Sequence, residues 1–129
     1  MNPIYLDTRF ACEEYFGQLP ESFAIITAYA TTGEQWTQRK NIEADERLRG
    51  YLESQFDMVK RITGYSPVTS HAEPGWLVSC GFDKACDIGS LFKQDAIYWG
   101  HQGQLFVSYC GEQRLKVKIG SADELFDAS

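Results

Sequence analysis

The sequence predicts a single α+β domain, built as a mainly antiparallel sheet with helices packed on one face. Its 129 residues suit one hydrophobic core. Apolar runs of strand-like composition alternate with stretches of helical period. The last third reads as short alternating strands separated by glycine-bearing turns, ending in a C-terminal hairpin.

Taken in order, IYLDTRFACEEYFG (residues 4–17) spaces Tyr5, Phe10 and Phe16 roughly helically, with Gly17 as a stop, and predicts a short helix. SFAIITAY, from Ser22 to Tyr29, is nearly continuous in apolar residues and rich in β-branching, so a strand buried on both faces is expected. ATTGEQWTQRK then has no period and forms a long polar loop. Asn41 suits a helix N-cap, and Ala44, Leu48, Leu52 and Phe56 recur at steps of four, which predicts a helix over 41–56. MVKRIT (58–63) alternates as a half-exposed strand, and WLVSC (76–80) reads as another. Asp83 is the candidate N-cap of a second helix whose buried face carries Ala85, Ile88, Gly89 and Phe92. A glycine in that face signals close approach of a strand or ligand. DAIYW, LFVSYC and RLKVKI complete the sheet, the last with Leu115, Val117 and Ile119 inward and Lys116 and Lys118 outward.

From Ser22 to Trp99 the order strand-helix-strand-strand-helix-strand is that of a split βαβ, ferredoxin-like unit, which the trailing hairpin would extend or curl. Residues 1–129 are read as one compact domain, with 121–129 as a frayed acidic tail.

A net charge of -6 and a pI near 4.8 argue against nucleic acid as a partner. No apolar segment approaches the length of a membrane span, and the N-terminus lacks the pattern of a signal peptide, so a cytoplasmic protein is expected. Cys12, Cys80, Cys86 and Cys110 would then be reduced thiols, most of them core residues.

His71-Ala72-Glu73 has the first half of a zinc deaminase signature, but no Pro-Cys-x-x-Cys follows and Pro74-Gly75 leads toward a strand. No metal and no cofactor are expected. There is no Gly-x-Ser-x-Gly turn, and Cys86, at the start of a helix but beside its buried stripe, reads as inert. Arg39 and Lys40 precede a helix N-terminus, yet the loop before them holds a single glycine, Gly33, and makes no phosphate cradle. Trp36 stands outside any periodic element; it either packs the loop down or anchors a partner.

FAIITAYATTG, then Asn41, then HAEPGW, then Leu91 to Ile97 (LFKQDAI) resemble, in that order and spacing, the bacterial family catalogued as domain of unknown function 3293. The resemblance covers residues 22–99. The family pattern has Thr-Ala-aromatic followed by Asn-Pro or Asp-Pro, an Asn opening the helix, a Glu before the middle strand, and Phe-Gly-Gln ahead of Ala-aromatic. Thr27, Ala28, Tyr29, Asn41, Glu73 and Gln94 match it, while Ala30-Thr31 and Lys93 depart. The resemblance implies a bacterial origin and a compact cytosolic domain whose polar residues gather in one place.

Two functions are compatible with these residues. The favoured one is a non-enzymatic binding or interaction domain that recognises a small polar ligand or a protein partner through Thr27, Tyr29, Trp36, Asn41, His71, Glu73 and Gln94, because no catalytic constellation is complete. The alternative is a small hydrolase or transferase with Glu73 as general acid or base. In the alternative bland role, Asn41 caps its helix, Gln94 satisfies helix-end carbonyls and Glu73 pairs with a backbone amide or Arg39. The sequence sets no oligomeric state.

Overall fold

Strand β2 (Ser22–Ile26) lies in the middle of a seven-stranded sheet, in a computed structural model that describes residues 1–12, 18–29, 36–69 and 71–127. The other strands are β1 (Arg9–Cys12), β3 (Val59–Tyr65), β4 (Ala72–Val78), β5 (Ala96–His101), β6 (Gln104–Tyr109) and β7 (Val117–Ser121). Their order is β1-β3-β4-β2-β5-β6-β7, every neighbouring pair is antiparallel, and the sheet curls into a half-barrel. Helix α1 (Gln38–Gln55) connects β2 to β3, α2 (Phe82–Leu91) connects β4 to β5, and α3 (Ala122–Leu125) follows β7.

Alternation along the strands sends side chains to two cores. On one face Ala24, Ile26, Val78 and Ile97 pack with Leu48 and Leu52 of α1 and Ile88 of α2, so both long helices cover the same side. On the other, Phe10, Phe23, Ile25, Ile62, Leu77 and Leu105 fill the curl of the sheet. That curl needs a gap opposite Phe23, and Gly100 supplies it, since a Cβ there would run into the Phe23 ring. Gly89 of α2 meets the expectation of close approach to a strand: a Cβ would lie 2.7 Å from Ile97 Cγ2 and against the Cys110 sulfur.

Several expected elements differ. Arg9–Cys12, placed in a helix by its spacing, is a strand registered from Arg9↔Tyr65 to Cys12↔Ile62; Phe10 is 1% exposed there because it plugs the second core. Only Pro3–Tyr5 makes a helical turn, of 3-10 type, and the expected helix's remaining part, 13–17 with its Gly17 stop, lies outside the described residues. Helix α1 starts before Asn41, with Thr37 as N-cap accepting from the Lys40 N–H at 3.1 Å, which leaves Asn41 within the first turns. Gly81, not Asp83, caps α2, and Asp83 sits in the first turn, where its charge faces the positive end of the helix.

Strand β4 begins at Ala72, so Pro74 and Gly75 are inside it. Pairing of β2 with β4 stops at Ile26↔Trp76, and beyond that point β4 has β3 alone beside it, which is where a strand tolerates proline. Leu115, expected inward, precedes β7 and is 74% exposed. The stretch expected as a frayed tail is structured through Asp127: Phe126 packs on Phe10 and Phe23, Asp127 N–H donates to Phe10 O, and the Tyr65 hydroxyl donates to the Asp127 carboxylate. These contacts join the two ends of the curled sheet, and Phe126 forms a parallel bridge with Phe10.

Between α1 and the sheet lies a buried charge. Asp45, 4% exposed, accepts both guanidinium nitrogens of Arg61 at 2.8 and 3.0 Å and the Trp76 indole N–H at 3.0 Å, while the Arg61 guanidinium lies 4.2 Å from the centre of the Trp76 ring. Bidentate geometry and the indole satisfy the carboxylate. Replacing Asp45 with Ala strands the guanidinium and the indole; we expect a loss of about 3 kcal/mol, read as a lower urea midpoint with an unchanged slope.

Candidate functional site

The end of β2, the start of β4 and the end of α2 bring three polar side chains together. Thr27 immediately follows β2, and a Cβ at Gly75 would lie 2.8 Å from both Ile26 O and Thr27 Cγ2, so only glycine lets the two strands pass this closely. Thr27 Oγ1 is consequently 2.9 Å from Glu73 Oε1 and 2.9 Å from Gln94 Oε1. The Gln94 amide donates to Tyr29 O at 2.8 Å and more weakly to Phe92 O at 3.4 Å. Of the expected residues, Thr27, Tyr29 (through its backbone), Glu73 and Gln94 therefore form one array.

The α2 terminus aims Gln94. Lys93 N–H donates to Ser90 O and Gln94 N–H to Gly89 O, the pair of bonds of a Schellman stop, which requires a left-handed residue between cap and exit. That residue is Lys93, at φ +60°, at the position where the resemblance noted above implies glycine. The departure is thus tolerated at a conformational cost rather than by a different backbone.

Glu73 has a quarter of its side chain exposed, and its Oε2 stands 3.8 Å from His71 Nε2, whose ring is 61% exposed. Burial pushes the Glu73 carboxyl up from its ordinary range, against the smaller opposing effects of the Thr27 hydrogen bond and of His71. Tyr98, on β5, is pushed up to about 12 by burial first, with the Glu73 charge adding to it, and its hydroxyl contacts Thr8 Oγ1 at 2.7 Å and donates to Tyr5 O at 2.9 Å. Tyr98 escaped the sequence reading because it alternates like any core aromatic. On the far side of Gln94 an open depression of about 460 Å³ is lined by Ser90, Lys93, Gln94, Asp95, Tyr109 and Gly111.

Two further expected residues stand just before and within the start of α1. Trp36 packs its half-buried ring on the helix-side core with the Lys40 ammonium 4.5 Å from its centre, so it holds the loop's end down. Most of the expected loop, 30–35, lies outside the described residues. Asn41 is half-buried in the first turns of α1, and Arg39 pairs with Glu43 on the same helix and not with Glu73. Among the described residues no three His, Cys, Asp or Glu side chains cluster as metal ligands. Burial raises the thiols of Cys86, Cys80 (to about 11) and Cys110 (to about 12), which keeps them protonated and poorly nucleophilic.

Two outcomes test this geometry. Lys93→Gly should stabilise the protein by about 1 kcal/mol, seen as a higher melting temperature, because glycine adopts the left-handed conformation without a Cβ clash. For Glu73, a folded-state value raised above the unfolded one means that ionisation opposes folding, so its favourable contribution is complete below the unfolded value and fades as pH rises through the folded one. Urea midpoints at about pH 4 and about pH 7.5 should show Glu73→Gln gaining on the natural chain at the higher pH.

The family model described as "Protein of unknown function (DUF3293)" matches residues 26–97, more than half of the chain, and that span contains Thr27, Tyr29, Asn41, Glu73 and Gln94. No curated protein and no solved structure matches the chain.

Proposed function

We propose, from the premise that the chain belongs to the family of proteins of unknown function DUF3293, that it is a binding domain whose Glu73–Thr27–Gln94 array recognises a small polar ligand or a polar group of a protein partner. The observation that carries this reading is the convergence of three polar side chains from separate element ends, within hydrogen-bond distance and beside an open depression. Gln94 belongs both to the array and to the wall of the depression, so a ligand seated there would sense it directly. Lys93 and Asp95 flank Gln94 with opposite charges and suit a ligand that carries both a donor and an acceptor.

The raised Glu73 carboxyl supports a second reading, a hydrolase or transferase with Glu73 as general acid or base. A bound ligand is the more economical role, since the raised cysteines offer no activated nucleophile among the described residues. A cytosolic protein of bacteria is the setting we infer for either role. For the core fold we propose the ferredoxin-like reading: β2-α1-β3 and β4-α2-β5 interleave as β3-β4-β2-β5, which supports it, with β1, β6 and β7 as additions.

The test is an NMR titration of the full chain against a panel of small amides, amino acids and sugars. Binding at this site moves the backbone signals of Thr27, Glu73 and Gln94 together, and Thr27→Val should weaken it about tenfold, the effect of one hydrogen bond worth about 1.4 kcal/mol. If no compound moves those signals, or if a compound that binds is turned over and Glu73→Gln abolishes turnover, the recognition role gives way.

A further inference from the structure

We propose that Glu73 stands as a neutral carboxylic acid in the resting protein, protonated on Oε1, and that its proton sets a one-way chain of hydrogen bonds through Thr27 and Gln94 to the backbone of Tyr29. The ground is a count of protons. The Thr27 hydroxyl carries one, yet its oxygen is 2.9 Å from each of two acceptors, Glu73 Oε1 and Gln94 Oε1. Gln94 cannot be turned over to relieve this, because its NH2 group serves Tyr29 O and Phe92 O, and a flipped amide would set carbonyl against carbonyl. With Glu73 ionised, one of the two short contacts has no proton in it, or both share one in bent, weakened form.

A proton on Glu73 Oε1 completes the set. Glu73 O–H donates to Thr27, Thr27 O–H donates to Gln94 Oε1, and the Gln94 amide donates to Tyr29 O. The chain then polarises in one direction, which strengthens each bond in a partly desolvated place.

The groups around Glu73 agree with a neutral acid. Just before its own strand, His71 is the basic side chain within reach, 3.8 Å from Oε2, but it is 61% exposed and solvent screens it. From β3 the residue opposite is Gly64, which brings no charge. From β5 comes the phenol of Tyr98, neutral at any ordinary pH, and from the ends of β2 and α2 come Thr27 and Gln94. Burial adds its own penalty on the charged form.

What the site offers a ligand follows. In the resting form the outward oxygen, Oε2, is a carbonyl acceptor without net charge, matched to an uncharged donor such as an amide or hydroxyl. Loss of the proton turns Thr27 toward Glu73 and leaves Gln94 Oε1 without its donor, which slackens the Gln94 hold on Tyr29 at the entrance to the loop before α1.

This inference deepens the recognition role of the same residues but is tested without ligand, so a failed ligand panel leaves it standing and its own failure leaves recognition open. In a pH titration of the unliganded full chain, NMR follows the Glu73 side-chain carboxyl carbon and the Gln94 side-chain NH2. Both should move with one midpoint, and that midpoint should lie above neutral pH. Under Glu73→Gln, whose amide can donate to Thr27 as the acid does, the Gln94 signals should stay at their acidic-form positions at every pH. Under Thr27→Val, which keeps the methyl beside Gly75, Glu73 should still titrate while Gln94 no longer follows. A Glu73 midpoint below neutral pH, or Gln94 signals indifferent to Glu73 in the natural chain, overturns the proposal; if Thr27→Val fails to fold, the other two measurements decide it.

Discussion

The placement of β2 between β4 and β5 is the constraint on which the rest of the molecule depends. The strand is short, but Phe23 to Ile26 are all buried, with Ala24 and Ile26 on the helix side and Phe23 and Ile25 on the other. It therefore ties the two cores together through one segment of backbone. Its register is fixed because a slip by one residue would exchange the two sets. With Ile26 opposite Trp76, Thr27 must land over Gly75, and from that single alignment follow the approach of Glu73 and the reach of Gln94. The polar array is thus a consequence of strand pairing, held by the hydrophobic contacts on either side of β2.

Two withdrawn carboxyls, Asp45 on α1 and Glu73 on β4, show how surroundings decide chemistry. Asp45 meets a guanidinium in bidentate contact and an indole N–H, so its charge is matched donor for donor and the cluster clamps α1 to β3 and β4. Glu73 meets a hydroxyl, an amide oxygen one step away and an imidazole at 3.8 Å, none of which replaces what water would have offered. A matched ion is a fastener. An unmatched carboxyl is poised to bind something or to hold a proton, which is why Glu73 carries the functional reading and Asp45 does not.

Much of this was legible in the sequence where periodicity is set by one core. The stripe Ala44, Leu48, Leu52 faces a single sheet surface, and the helix over it was placed correctly to within a few residues. Ser22 to Tyr29 read as a doubly buried strand because both cores draw on this one apolar run, although the strand itself ends at Ile26. Legibility failed where two demands met in one stretch. Phe10 serves the inside of the curl while Tyr5 sits in a 3-10 turn, and their spacing happened to imitate a helix. Pro74 and Gly75 look like a loop by local rules, but the end of the β2–β4 ladder removes the need for the proline N–H, and the nearness of Thr27 demands the glycine. Local propensity had no access to either fact. Of the candidate site, Thr27, Glu73 and Gln94 were named because they match the pattern of the family the sequence resembles, whereas the contribution of Tyr98 is a matter of tertiary placement within a strand that otherwise looks ordinary.

Lys93 shows why the end of α2 matters more to the site than its own side chain does. A left-handed residue there reverses the chain after the helix, and the reversal turns Gln94 back toward the sheet, where its amide meets Thr27 and Tyr29. A lysine held at φ +60° adopts this conformation at a disadvantage of about 1 kcal/mol. The Schellman bonds from Lys93 and Gln94, together with three side-chain hydrogen bonds made by Gln94, compensate within a few residues. The strain is therefore sustained by the very array that depends on it, so that the helix stop and the polar array form one cooperative unit in which loosening Gln94 from Thr27 also weakens the reason for Lys93 to remain left-handed.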